Sequence, residues 1–221
     1  MTNDLLKRNI DTVLGRIAKA QARSGRKVTL VAATKTVPCD IINAAIDFGI
    51  NDVGENRVQE FIQKKDGVKG AKRHFIGTLQ TNKAKYLVGE VALIQSVNSV
   101  KLMNEIDRLA KKRNAVQDIL IEVNVGGERT KTGVDIVCAD ELIGATSECS
   151  NVRLRGLMSV MPIGASDDLY ADIENLFARY ESGPFDTLSV GMSGDYERAI
   201  EHGSNMVRIG SAIFGARQYN V

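Results

Sequence analysis

Tryptophan is absent from this chain, and histidine, proline and cysteine are scarce: 2 His, 3 Pro and 3 Cys in 221 residues. Each shortage excludes something. An odd set of widely spaced thiols, Cys39, Cys138 and Cys149, does not make a disulfide framework. Without a C-x-x-C pair there is no structural zinc pattern either. His74 and His202 have no spaced carboxylate or thiol company, which argues against metal catalysis and against a Ser-His-Asp triad. No apolar run is long enough to span a bilayer. The N-terminal segment carries acidic residues and lacks the apolar core and small-residue cleavage site of a signal peptide, so the cytoplasm is the expected compartment. The net charge of +2 lacks the dense basic patch that nucleic acid or an anionic membrane demands, and neither is expected as a partner.

What is present is a regular alternation. Residues 1–221 contain no linker, low-complexity tract or charge block and read as one domain. Leu5, Leu6, Ile10, Val13, Leu14 and Ile17 mark a first helix, ended by Ser24 and Gly25. Apolar, β-branched runs then recur at 28–33, 51–53, 74–78, 92–97, 118–125, 154–160, 187–191 and 206–210. Helical spacing separates most of them, as in Val100, Met103, Ile106, Leu109 and Ala110 or Leu169, Ile173, Leu176, Phe177 and Tyr180. Strands alternating with helices predict a parallel sheet under helices. An open doubly wound sheet fits the pattern, but eight units in so short a chain suit a closed (β/α)₈ TIM barrel with an extra N-terminal helix better.

Such barrels place their chemistry at the C-terminal ends of the strands. The first strand runs into Thr34-Lys35-Thr36. A lysine there either points into an apolar mouth, where desolvation makes it a nucleophile toward aldehydes, or snorkels to water at the rim. The seventh and eighth strands end in Gly/Ser turns, Gly191-Met192-Ser193-Gly194-Asp195 and Gly210-Ser211. These are either ordinary helix caps or, taken together, a phosphate cup. Arg208 lies inside the last apolar run. A charge in that place requires an ion pair, with Glu122 or Asp195 as partners, or a ligand contact such as a ring nitrogen. Lys131 follows the fifth strand, as a loop lysine or as a second amine near the mouth.

The strings VAATKT, FGINDVGENRVQE, HFIGTLQTNK, IEVNVGGERTKTG, LRGLMSVMP, LSVGMSGDYERAIEHGS and MVRIGSAIFG, in this order from Val28 to Gly215, resemble the pyridoxal 5′-phosphate (PLP) homeostasis protein family. The resemblance implies a barrel like the N-terminal domain of alanine racemase. It implies PLP held as a Schiff base on Lys35, with Ser193, Gly194, Gly210 and Ser211 around the phosphate and Arg208 beside the pyridine nitrogen. It places Asn56 and Met158 at the ring pocket. Thr34 stands where the family often has Ser, and Ser211 where it often has Thr; both changes keep a hydroxyl.

An arginine at the ring nitrogen disfavours its protonation and weakens the ring as an electron sink. The resemblance places the second base of the related racemases on a tyrosine of a separate β-domain, for which a chain ending at Val221 leaves no expected room. A monomeric, non-enzymatic carrier or regulator is therefore expected. It would bind PLP reversibly, limit free aldehyde and supply apo forms of PLP-dependent enzymes. The alternatives are a PLP-dependent amino-acid racemase and a barrel enzyme acting on a phosphorylated metabolite without PLP. Lys131 is expected as a transient acceptor when PLP leaves Lys35.

Overall fold

The structure is a computed structural model that describes residues 1–128 and 132–215. Helix α1 (Asn3–Ser24) opens it, with the Thr2 hydroxyl accepting from the Leu5 amide and Gly25 closing the helix in the left-handed region at φ 70°. Its buried stripe is Leu6, Ile10, Val13, Ile17 and Ala20. Leu5 and Leu14, expected on that face, are 39% and 37% exposed. A spacing of three and four residues keeps one row inward, and its immediate neighbours fall on the flank.

Eight parallel strands follow: β1 (Thr29–Ala33), β2 (Asp52–Glu55), β3 (Lys72–Phe75), β4 (Leu93–Val97), β5 (Gln117–Asn124), β6 (Val152–Ser159), β7 (Thr187–Ser189) and β8 (Met206–Ile209). Their order is β4-β3-β2-β1-β8-β7-β6-β5, and β5 pairs back onto β4. The sheet is thus closed, and the expected (β/α)₈ barrel is the observed fold. A two-residue strand, Val134–Asp135, adds to β5 and was not foreseen. Between the strands lie α2 (Cys39–Asp47), α3 (Val58–Lys64), α4 (Val100–Lys112), α5 (Ala139–Ala145), α6 (Asp167–Ala178) and α7 (Tyr196–Glu201), and α8 (Ser211–Phe214) follows β8. After β3 the connection is a 3₁₀ helix, Thr81–Tyr86, rather than an α-helix. No described helix is long and apolar enough to cross a membrane.

One apolar layer, Val31, Leu93, Leu120, Met158 and Met206, comes from five different strands and fills the barrel interior. Two larger clusters lie between the barrel and its helices. Truncating Leu120, which is fully buried, to alanine costs roughly 2–5 kcal/mol. Gly156 is required in β6: at φ 143°, a Cβ there would sit 1.9 Å from the Thr187 carbonyl oxygen. It marks the bulge that shifts β6 by one residue against β5.

Candidate functional site

Lys35 sits just beyond β1, partly buried, where the chain is tied down on both sides. The Thr34 amide and hydroxyl donate to the Gly54 carbonyl at 2.9 and 3.2 Å, and the hydroxyl also reaches Glu55 Oε1 at 2.7 Å. Lys64 Nζ donates to the Thr34 carbonyl at 2.8 Å and to Glu55 Oε1 at 2.9 Å. The Thr36 amide donates to Glu60 Oε2 at 2.7 Å. Burial pushes the Glu55 carboxyl above its ordinary pKa, against the Lys64 and Thr34 hydrogen bonds. Thr36 is held at φ 63°, a region that non-glycine residues avoid. The bracket of Glu55, Glu60 and Lys64 therefore fixes the direction in which the chain presents Lys35. The bracket was not foreseen from the sequence. Its one local signal was Glu60 and Lys64 at i, i+4 spacing on α3.

The two Gly/Ser turns meet at neighbouring strand ends. β7 stops at Ser189 rather than at Gly191, but its pairing continues as the Arg208 amide donates to the Gly191 carbonyl at 2.9 Å. Gly191, at φ 103° with a notional Cβ 2.9 Å from Tyr196 Cα, turns the chain outward. Asp195 locks the turn, accepting from the Met192 amide at 2.7 Å and from the Tyr170 hydroxyl at 2.8 Å. Ser193 Oγ then accepts from the amides of Gly210 and Ala212, both at 3.3 Å. The two turns are thus one structure, with inward-facing amides gathered around a hydroxyl. Gly194 borders open space into which no Cβ projects, and Ser211 is exposed at the start of α8. A Cβ on Gly210 would lie 3.3 Å from the Ala33 carbonyl, so the cup abuts the strand that leads to Lys35.

Arg208 lies on β8 beside Val31 of β1 and is 4% exposed. Its Nη1 donates to the Ser189 carbonyl at 2.7 Å and to Ser189 Oγ at 2.6 Å, and Nη2 donates to the Ser159 carbonyl at 2.8 Å. Among the described residues no carboxylate bonds it, so the ion pair weighed for it with Glu122 or Asp195 is not formed. Burial lowers its pKa to about 10, while the more distant charges of Asp195 and Glu122 favour the cation. Glu122 lies beside Met158 in the β5–β6 register, buried, with Oε1 accepting from the Thr132 hydroxyl and Oε2 without a partner. Burial raises its pKa, against the Thr132 hydrogen bond and the Arg208 charge. Asn56 follows β2 with a buried Oδ1 that has no partner, and Met158 belongs to the interior layer. Lys131 lies outside the described residues.

These residues fit PLP. The fold gathers an amine, a cup of amides and hydroxyls, a buried cation with N–H groups to spare and orphaned acceptors at one end of the barrel. Among the described residues, no group of His, Cys, Asp and Glu is placed to hold a metal ion.

Comparison with known proteins agrees. The model of the family "Alanine racemase, N-terminal domain" matches residues 8–218. A pyridoxal phosphate homeostasis protein of Aquifex aeolicus is 44% identical, over 95% of this chain and 97% of its own. The chain belongs to the pyridoxal phosphate homeostasis protein family. Among solved structures, PipY of Synechococcus elongatus with PLP bound superposes at a TM-score of 0.81, with 27% identity over 95% of this chain and all of its own. Alanine racemase of Clostridium difficile superposes at 0.74, covering 98% of this chain and 58% of the racemase; at 14% identity this shows the fold alone. The homeostasis family and the racemases thus share one barrel.

Proposed function

We propose that this protein binds PLP through Lys35 and acts as a carrier and regulator of the cofactor in the cytoplasm. One observation carries the reading: the Ser193–Gly210 cup and buried Arg208 adjoin the strand that ends at Lys35. The relatives named pyridoxal phosphate homeostasis proteins and the PLP-bound neighbour support it. Residues 1–221 act as one unit and as a monomer in this reading.

When bound, PLP supplies an aldehyde that condenses with amines and a ring that withdraws electrons. The protein's residues do the rest. Lys35 attaches the cofactor, aimed by its Glu55–Glu60–Lys64 bracket. The amides of Gly210 and Ala212, the Ser193 and Ser211 hydroxyls and the space beside Gly194 take the phosphate. Arg208 donates to the ring nitrogen and keeps it unprotonated. Asn56 and Met158 line the ring.

The described tyrosines support a carrier over a racemase. Tyr170 donates to Asp195 and Tyr180 to Asp140, Tyr196 is buried in an outer cluster, and Tyr86 lies on the 3₁₀ helix beside Lys83 and Lys85. Burial and the Asp195 hydrogen bond hold the Tyr170 phenol far above its ordinary pKa, unsuited to act as a base. PLP-dependent enzymes in their apo forms are the recipients.

Adding PLP to the purified protein, with visible absorbance as readout, tests the proposal. A new band that an added amine discharges is expected. A wild-type protein that gains no Schiff-base band on adding PLP overturns it.

A further inference from the structure

A line of polar side chains crosses the barrel beneath Arg208, and the proposed function makes no use of it. Arg208 Nη1 donates to Ser189 Oγ at 2.6 Å, and Ser189 Oγ donates to Gln95 Oε1 at 2.7 Å. Gln95 Nε2 lies 3.1 Å from His74 Nδ1, and His74 Nε2 lies 3.0 Å from Asp52 Oδ1. The line draws on β8, β7, β4, β3 and β2 in turn, from near the mouth to the opposite end of the barrel. Ser189 and Gln95 are fully buried, His74 is nearly so, and the Asp52 side chain is 13% exposed.

The direction of every hydrogen follows from Arg208. A guanidinium can only donate, so Ser189 Oγ accepts from it. The single hydroxyl hydrogen then goes to Gln95, whose amide oxygen must face it. That turns the Gln95 amide nitrogen toward His74. An amide NH₂ cannot accept, so His74 Nδ1 is the bare ring nitrogen, and the ring proton sits on Nε2 and is donated to Asp52. Met206 Sδ, 3.2 Å from Gln95 Nε2, faces the same amide. All the bonds therefore point one way, from a cation to a carboxylate. Bonds aligned in this manner polarise one another in a low-dielectric interior. The carboxylate that Arg208 lacks as a direct partner acts on it from four hydrogen bonds away.

We propose that Gln95 and His74 are positioning residues for the pyridine nitrogen of PLP. They keep the Ser189 hydroxyl turned as an acceptor, which fixes the orientation of the guanidinium that would meet the ring nitrogen. Asp52 anchors the far end. The inference rests on PLP occupying the site beside Arg208. Gln95→Leu removes both the acceptor for Ser189 and the donor to His74. Ser189 then loses its orientation, and Arg208 loses the polarised partner.

The test is equilibrium binding of two ligands, PLP and its 1-deaza analogue, in which C–H replaces the ring nitrogen while aldehyde and phosphate remain. Gln95→Leu and His74→Phe should each weaken PLP about tenfold, the loss of roughly one oriented charged hydrogen bond, and change the analogue less than twofold. Ser189→Ala, a smaller change at the link next to Arg208, should show the same split and serves if the larger substitutions do not fold. Equal losses for both ligands, as a merely structural role would give, overturn the inference, and so does no loss for either. Failure of wild-type protein to bind either ligand instead overturns the PLP reading beneath it.

Discussion

The two ends of the barrel treat the same residue type in opposite ways. At the floor, Arg155 of β6 forks Asp186 with Nη2 at 2.8 and 2.6 Å and reaches Asp118 at 3.0 Å. The Asp186 and Asp118 hydrogen bonds raise its pKa, against the cost of burial. Arg208, nearer the mouth, is more deeply buried, yet it bonds two carbonyls and a hydroxyl and its pKa falls. A fold with only stability to satisfy would place its carboxylates the other way round, beside the cation that lacks water. The floor charge is completed by the protein. The mouth charge is met only by neutral acceptors.

Four substitutions test that contrast, starting with the largest effect. Lys35→Ala should remove the Schiff-base absorbance band entirely, along with any borohydride-fixed adduct on that peptide, while the circular dichroism of the fold is unchanged. Arg208→Gln should weaken PLP binding on the order of a hundredfold, the upper range for a charged hydrogen bond. Arg155→Ala should do the reverse, lowering stability in urea by about 2 kcal/mol, since its partners are partly solvated, and leaving PLP affinity within about twofold. A large affinity loss from the floor variant would break the contrast. Ser193→Ala should weaken PLP roughly tenfold by titration and leave phosphate-free pyridoxal unchanged, which would sharpen the division of the mouth into cup and ring sites.

The smallest effect concerns pH. Glu122 has its carboxyl raised by burial, so its protonated form is favoured in the folded state. The stability this contributes is full below the ordinary value of 4.5 and is lost as pH rises through the raised one. Glu122→Gln should flatten the stability profile over that window, by about 1 kcal/mol or less, in denaturant titrations at a series of pH values. An unchanged profile would show that Glu122 is not the group responsible.

Much of this was legible in the sequence because it is local. Lys35 stood out as a charge at the end of an apolar run, Arg208 as a charge inside one, and the two Gly/Ser turns as either helix caps or a phosphate cup. The interior line was not legible. His74 looked companionless because its partners, Asp52 and Gln95, lie on adjacent strands about twenty residues away on either side, and only barrel closure brings Ser189 to Gln95. The bracket around Lys35 was hidden in the same way, since Glu55 and Lys64 lie at the ends of β2 and α3, far from Lys35 in sequence. Strand ends were misjudged where backbone pairing outlasts regular geometry, as at Val190 and Gly191.

The register of β1 against β8, Thr29 with Met206 through Ala32 with Ile209, joins the first strand to the last. Helix α1 reinforces that seam, with Asn9 donating to the Ile213 carbonyl and Arg16 and Arg23 meeting Glu197 and Glu201 of α7. Lys35 is an early residue of the chain, and Ser193, Arg208 and Gly210 are late ones. A growing polypeptide therefore carries Lys35 through most of its synthesis before the residues that neighbour β1 on its β8 side have been made. Contacts of such long sequence separation also form slowly. A ligand held between these residues would require the chain to have folded through β8.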